Sequence, residues 1–308
     1  MNGAATTMRT CERVRTAPIK TMGEQLDTAL ALAREERFAE ALEAFDGAVR
    51  AAPGDPEAWS HRATCLVKLG RLDEAELSLQ QALRATAERE AELHRRRGNV
   101  LIRLGRHAEA QAALTRATEL APDSAEAWYD RGVCLLEMTL APDAAEAFRT
   151  ATQLDPTHAD GWSNLGVALA RGGLLDEAID ALGHAVTVDP NDPDSWFEYG
   201  VCLGETQRYD EARVAYERAL ELEGDDAAVW NNLGVALHEL GQLDEARAAY
   251  DRALALDPSA TEAEDNRALV EAELGMGRVQ PTAPQPIDHA AAPRGPLHSN
   301  TAVRRFAN

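Results

Sequence analysis

Trp128, Trp162, Trp196 and Trp230 fall at intervals of 34 residues, and each is followed four residues later by a glycine: Gly132, Gly166, Gly200 and Gly234. The remaining tryptophan, Trp59, stands 69 residues before Trp128, which is two periods plus one residue. A fixed period of this size, carried by one of the scarcest residue types in the chain, constrains the fold more than any other feature. It describes a unit that cannot bury its own apolar face and must stack on copies of itself. The 308 residues then need no single spherical core, although their number alone would suggest two globular domains.

Carrying the phase outward divides the chain into seven units: 22–55, 56–89, 91–124, 125–158, 159–192, 193–226 and 227–260, with one extra residue near Glu90. Each reads as a helix A, a tight turn, a helix B and a second turn. Pro53, Pro122, Pro156, Pro190 and Pro258 share position 32, with Gly224 in that place in the sixth unit. Proline ends helix B because it lacks the N–H and biases its predecessor away from the α region. Asp155, Asp189 and Asp257, each just before a proline, can accept from backbone N–H groups in the turn. Gly70, Gly105, Gly173 and Gly241 mark the A–B turn, where positive φ suits a sharp reversal. Helix B then opens with Asp-Glu-Ala at 73–75, 176–178, 210–212 and 244–246, acids that favour the positive end of a helix. Aromatics are only 5% and β-branched runs are missing, so the expected class is all-α.

Small and large residues alternate in phase. Position 20 is alanine in all seven units (Ala41, Ala75, Ala110, Ala144, Ala178, Ala212, Ala246), and so is position 27 (Ala48, Ala82, Ala117, Ala151, Ala185, Ala219, Ala253). Position 24 takes bulk instead: Phe45, Leu79, Leu114, Phe148, Leu182, Tyr216 and Tyr250. Helix B is therefore expected to approach its neighbours at the alanines, where a larger side chain would overpack. Trp at position 4 and Gly at position 8 share a face of helix A. The ring is expected to fill the space between units while the glycine lets a backbone come near. Three units depart from the pattern. The third has His94 in the Trp place, the fourth has no turn glycine between Glu137 and Pro142, and the first has Gln25 and Ala29 where Trp and Gly are expected. An altered turn, with Pro142 opening helix B, is expected in the fourth.

Trp-x-x-Leu-Gly at 162–166 and 230–234, the two alanine positions, the terminal proline and the spacing together resemble the tetratricopeptide repeat (TPR) family over 22–260. The resemblance implies a right-handed superhelical solenoid of antiparallel helix pairs, with the A helices lining a concave groove. It also implies a non-catalytic protein–protein interaction scaffold that binds a peptide or a partner's surface in that groove. By the same resemblance, positions 2, 5, 6, 9, 12 and 13 of each A helix form the groove wall. The candidate binding residues there are Lys68, Arg95, Arg96, Asn99, Arg103, Tyr129, Asn164, Phe197, Asn231 and Asn232. Lys68, Arg95, Arg96 and Arg103 make a basic section suited to carboxylates, Tyr129 and Phe197 are aromatic where burial is not required, and the asparagines can clamp a peptide backbone. The competing reading is that Arg95 to Arg103 pair with Glu88, Glu90 and Glu92. A clamp for a chaperone's C-terminal carboxylate, known in the family, matches at Arg95 and Asn99 but then meets Asp130 and Asp160, whose charge is wrong for it.

Outside the repeats, 1–21 is expected to be flexible and 276–308 to be a disordered Pro-rich tail, while 261–275 reads as a capping helix ending at Gly275. Ala268, Leu269 and Leu274 are the residues expected to cover the last unit. Residues 1–21 carry four basic groups against Glu12, and 276–308 four against Asp288, so the formal −21 leaves −27 for the body between them. Such a body repels a phosphate backbone, and nucleic acid is not the expected partner. Nothing resembles a signal peptide or a membrane span, and a cytoplasmic protein without membrane insertion is expected. Cys65, Cys134 and Cys202 share one place in their repeats and read as packed free thiols, with Cys11 outside the pattern. No Gly-Lys pair exists for a Walker A loop, and Gln242 stands where a zincin helix starting at His238-Glu239 needs its second histidine. No enzyme activity, cofactor or metal is therefore expected. The alternatives are a structural, self-assembling solenoid, which includes a homo-oligomer, and an accessory subunit that recruits a separate enzyme.

Overall fold

A computed structural model describes residues 22–86 and 90–277. The expectations for 1–21, for Cys11, for Glu88 and for the tail beyond 277 lie outside the described residues. Among the described residues the chain is all helix: α1 (Met22–Arg34), α2 (Phe38–Ala51), α3 (Pro56–Lys68), α4 (Leu72–Ala85), α5 (Glu90–Arg103), α6 (His107–Leu120), α7 (Ala125–Glu137), α8 (Ala141–Leu154), α9 (Ala159–Arg171), α10 (Leu175–Val188), α11 (Pro193–Glu205), α12 (Tyr209–Leu222), α13 (Ala227–Glu239), α14 (Leu243–Leu256) and α15 (Thr261–Gly277). They fall into two compact units, one holding α1–α5 and the other α6–α15. Within each unit, odd-numbered A helices and even-numbered B helices pack on their neighbours in chain order, as a helix-pair solenoid. The extra residue near Glu90 joins the start of α5, which has 14 residues where α3 and α7 have 13.

Every A–B turn uses one residue at positive φ. Gly70, Gly105, Gly173 and Gly241 lie at 72–79°, and where glycine is missing Glu36, Thr139 and Gln207 adopt 60–62°. The fourth repeat thus keeps the turn geometry of its neighbours, with Thr139 in the glycine's place and Pro142 in the first turn of α8. The second turn is held as its composition suggested: Asp155, Asp189 and Asp257 each accept from the N–H two residues on, at 2.9–3.0 Å. The next A helix is capped by the side chain of Asp55, Ser124, His158, Asp192 or Asp226.

All fourteen alanines at positions 20 and 27 are buried, none more than 4% exposed. The glycine at position 8 serves a different purpose from the one expected. What it admits is a side chain rather than a backbone: a Cβ built on Gly132, Gly166, Gly200 or Gly234 would lie 2.4–2.7 Å from Phe148, Leu182, Tyr216 or Tyr250. Position 24 of helix B therefore sits on the bare backbone of its own helix A. The tryptophans do bridge units. Each is half-buried and donates its indole N–H to the carbonyl six residues earlier, at 2.9–3.0 Å: Trp59 to Pro53, Trp128 to Pro122, Trp162 to Pro156, Trp196 to Pro190 and Trp230 to Gly224. That carbonyl belongs to position 32 of the preceding repeat, so the Trp and Pro periods are two ends of one contact.

The last helix docks in a different phase from the one expected. α15 buries Ala263 and Val270, while Ala268 and Leu269 face solvent and Leu274 is half-buried. Seven residues make about two turns, so Ala263 and Val270 share a face, and they occupy positions 3 and 10 of an eighth repeat. Those positions are buried in every A helix from α3 to α13. The helix also continues through Gly275 to Gly277.

Candidate functional site

In the first unit the A helices bring Arg96 of α5 against α3. Its guanidinium donates to the hydroxyls of Ser60 and Thr64 and, at 3.1 Å, to the Ser60 carbonyl. None of these acceptors carries a charge, and among the described residues no carboxylate lies within ion-pair distance. Burial holds this guanidinium below the usual arginine range. Its neighbours are neutralised: Arg95 is clasped at two points by Glu92, at 2.8 and 3.0 Å, and Arg97 pairs at 2.9 Å with the buried Glu76 of α4. The two readings of the basic stretch therefore divide residue by residue, since Arg95 pairs locally and Arg96 does not. Lys68 and Arg103 are exposed at the ends of α3 and α5, and Asn99 is half-buried between the ends of α5.

In the second unit the expected groove residues are largely used on one another. Tyr129, expected where burial is not required, is only 8% exposed; it packs against His158 and Phe148. Its hydroxyl accepts from Asn164 Nδ2 at 3.0 Å, and Asn164 is buried too. Asn231 accepts from Asn266 of α15 at 3.3 Å. Phe197 is half-buried against Tyr216, and Asn232 is half-buried with an amide that no described side chain engages. Val133, Leu136 and Ile102, at positions 9 and 12, belong to the core and are at most 2% exposed. In these repeats positions 9 and 12 therefore do not offer the wall expected of them.

A recurring contact emerges that sequence reading missed. At three places position 6 of one A helix reaches position 5 of the preceding one: Arg96 to Ser60, Asn164 to Tyr129, and Asn266 to Asn231. Alignment of the two columns could have suggested it, because each pair joins a donor to an acceptor about one period apart. A second omission is Arg34, exposed at the end of α1 and in the same position 13 as Lys68 and Arg103.

Two family models match this chain. One, described as the cilia and flagella-associated protein 70 C-terminal domain, covers residues 83–291, and a tetratricopeptide repeat model covers residues 32–97. The chain belongs to this family of TPR proteins. No curated protein matches it. Among solved structures, the C-terminal part of a TPR repeat-containing protein from Cytophaga hutchinsonii superposes with a TM-score of 0.65 at 17% identity, over 78% of this chain and 98% of that one. A TPR protein from Parabacteroides merdae gives 0.58 at 15% identity, over 81% and 98%. MamA gives 0.53 at 21% identity, over 65% and 100%. At these identities the likeness is one of fold.

The TPR fold is one generally used for protein–protein interaction. Among the described residues no three His, Cys, Asp or Glu side chains gather as a metal site, and no helix is long and apolar enough to cross a membrane. Cys65, Cys134 and Cys202 are buried free thiols. Burial raises all three, Cys134 to about 11 and Cys202 to about 12, which suppresses the reactive thiolate.

Proposed function

We propose that this TPR protein is a non-catalytic interaction scaffold that takes a peptide or a partner's surface on the A-helix face, anchored in the first unit. The fold is one generally used for protein–protein interaction. The observation that carries the finer reading is Arg96, a half-buried cation without a carboxylate in a body of net −27. A guanidinium removed from water and held only by hydroxyls and a carbonyl gains strongly from an incoming anion, since charge-assisted hydrogen bonds are the stronger kind. Reversing charge at Arg95, Arg96 and Arg103 should abolish partner capture in a pull-down analysed by mass spectrometry, with the helical circular dichroism signal retained. Unchanged capture would sink the assignment of the face.

The ends of the array argue against end-to-end stacking as the main function. α1 exposes Glu24 and Ala31 at positions 3 and 10, which are buried in every later A helix. α15 carries Arg267 and Glu271 at positions 7 and 11, and Glu271 replaces a leucine that is buried in α3 to α13. Polar terminal faces are what a solenoid needs to remain soluble.

A further inference from the structure

The cations of the first unit form a row. Position 13, the last turn of the A helix, is Arg34 in α1, Lys68 in α3 and Arg103 in α5. All three are exposed and have no ion-pair partner among the described residues. The sequence explains why. Partners on the same helix lie three or four residues away; upstream these places hold Leu30 and Ala31, Thr64 and Cys65, Asn99 and Val100, and downstream Arg37 and Phe38, Arg71 and Leu72, Arg106 and His107. None is an acid. Elsewhere the chain pairs its arginines readily, as in Arg37–Glu40, Arg71–Glu74 and Arg208–Glu211. In the second unit the same position is mostly acidic, with Glu137, Glu205 and Glu239 against Arg171.

We infer that this row binds an extended acidic segment of a partner protein, with acidic side chains at about every third residue. The inference rests on the A-helix face being the binding surface, and it adds the partner's chemistry and spacing. Neighbouring A helices that exchange side-chain contacts, as α3 and α5 do through Arg96, lie about one helix diameter apart, roughly 10 Å. A polyproline-II strand advances about 3.1 Å per residue with three residues per turn, so every third side chain returns to the same side after about 9 Å. An acid at each such place meets one cation of the row. Opposite charge explains the partner's sign, and the repeat pitch explains its period.

Fluorescence anisotropy on the full chain tests this with labelled peptides of equal charge: glutamates at every third residue, glutamates clustered, and a single-stranded oligonucleotide of matching charge. The spaced peptide should bind at least several-fold tighter than the clustered one. Arg34→Gln, Lys68→Gln and Arg103→Gln should each weaken it about two- to fivefold, the range expected of exposed ion pairs. Arg50→Gln, on the exposed side of α2, should not. Equal affinity for spaced and clustered peptides, insensitivity to the three substitutions, or tighter binding of the oligonucleotide overturns the inference. If partner capture still depends on Arg95, Arg96 and Arg103 in that case, the face remains the binding surface and only its specificity has been misread. If capture is independent of them as well, both readings fall.

Discussion

In α1 and α3 the residue at position 8 is alanine, Ala29 or Ala63, buried in one core with Phe45 and Leu79. In α7, α9, α11 and α13 the same position is glycine, and the side chain at position 24 lies where a Cβ would be. The pairs α1–α2 and α3–α4 therefore accommodate a methyl group, although α5 of the same unit carries Gly98, while the pairs of the second unit close onto bare backbone. Glycine inside a helix costs about 1 kcal/mol relative to alanine, and the second unit offsets that by packing the side chains of Phe148, Leu182, Tyr216 and Tyr250 onto the helix. The surfaces differ in a parallel way. On the first unit's A-helix face Lys68, Arg96 and Arg103 have no carboxylate partner, while on the second Tyr129, Asn164, Asn231 and Asn266 satisfy one another. The regular unit spends its polar groups on holding repeats together, and the less regular one leaves charge unspent.

The largest effect should come from exchanging the residues at position 8. Gly234→Ala would place a Cβ 2.5 Å from the Tyr250 ring, and Gly200→Ala one 2.6 Å from Tyr216. Overpacking of this kind costs about 1–3 kcal/mol, partly offset by alanine's helix propensity. A urea midpoint lowered for both variants supports the contrast between the units. An unchanged midpoint would show that these pairs relax to the spacing of α1 and α2, and the distinction would disappear.

Much of this was legible because a repeat is read many times over. Seven copies average out local noise, so the helix pairs, the glycine-marked turns and the buried alanines could be placed from sequence, while the altered turn expected in the fourth repeat is absent because Thr139 takes the glycine's conformation. What one copy decides alone was harder. Tyr129 reads equally well as a groove aromatic or a core residue, and the choice depends on Asn164, 35 residues later. In α15, Ala268 and Leu269 look as apolar as Ala263 and Val270, and hydropathy cannot choose between the two faces. Extending the repeat phase past residue 260 would have chosen correctly, since Ala263 and Val270 fall on positions 3 and 10. Reading position 13 as a column would likewise have found Arg34.

The buried thiols sharpen the comparison through pH. Cys65, Cys134 and Cys202 occupy one position, and burial raises each above its ordinary 9.0, Cys134 to about 11 and Cys202 to about 12. Above pH 9 the unfolded chain releases these protons while the folded chain keeps them. Stability is then undiminished below pH 9 and falls as pH rises through 11 to 12. Tyr216 and Tyr250, also raised by burial, add to the fall from a higher starting pH. Melting temperatures between pH 8 and 10.5 should decline for the wild type and decline less for Cys202→Ala. Cys65→Ala should flatten the profile less than Cys202→Ala does. Equal flattening by both would mean that the two units bury this position alike.

The smallest effect concerns the turns that lack glycine. Glu36 in the first unit and Thr139 and Gln207 in the second hold φ at 60–62°, where a Cβ crowds the carbonyl at a cost of about 1–2 kcal/mol. Glycine would relieve this but gives the unfolded chain more freedom, which returns about 0.4–1 kcal/mol. The net gain is then roughly 0.5 kcal/mol, largest at Thr139, whose branched Cβ suits this region least. Thermal melts should place Thr139→Gly above wild type, with Gln207→Gly and Glu36→Gly closer to it. A lower melting temperature for Thr139→Gly would show that the threonine contributes something beyond the turn, and the fourth repeat's turn would then differ in kind from its neighbours.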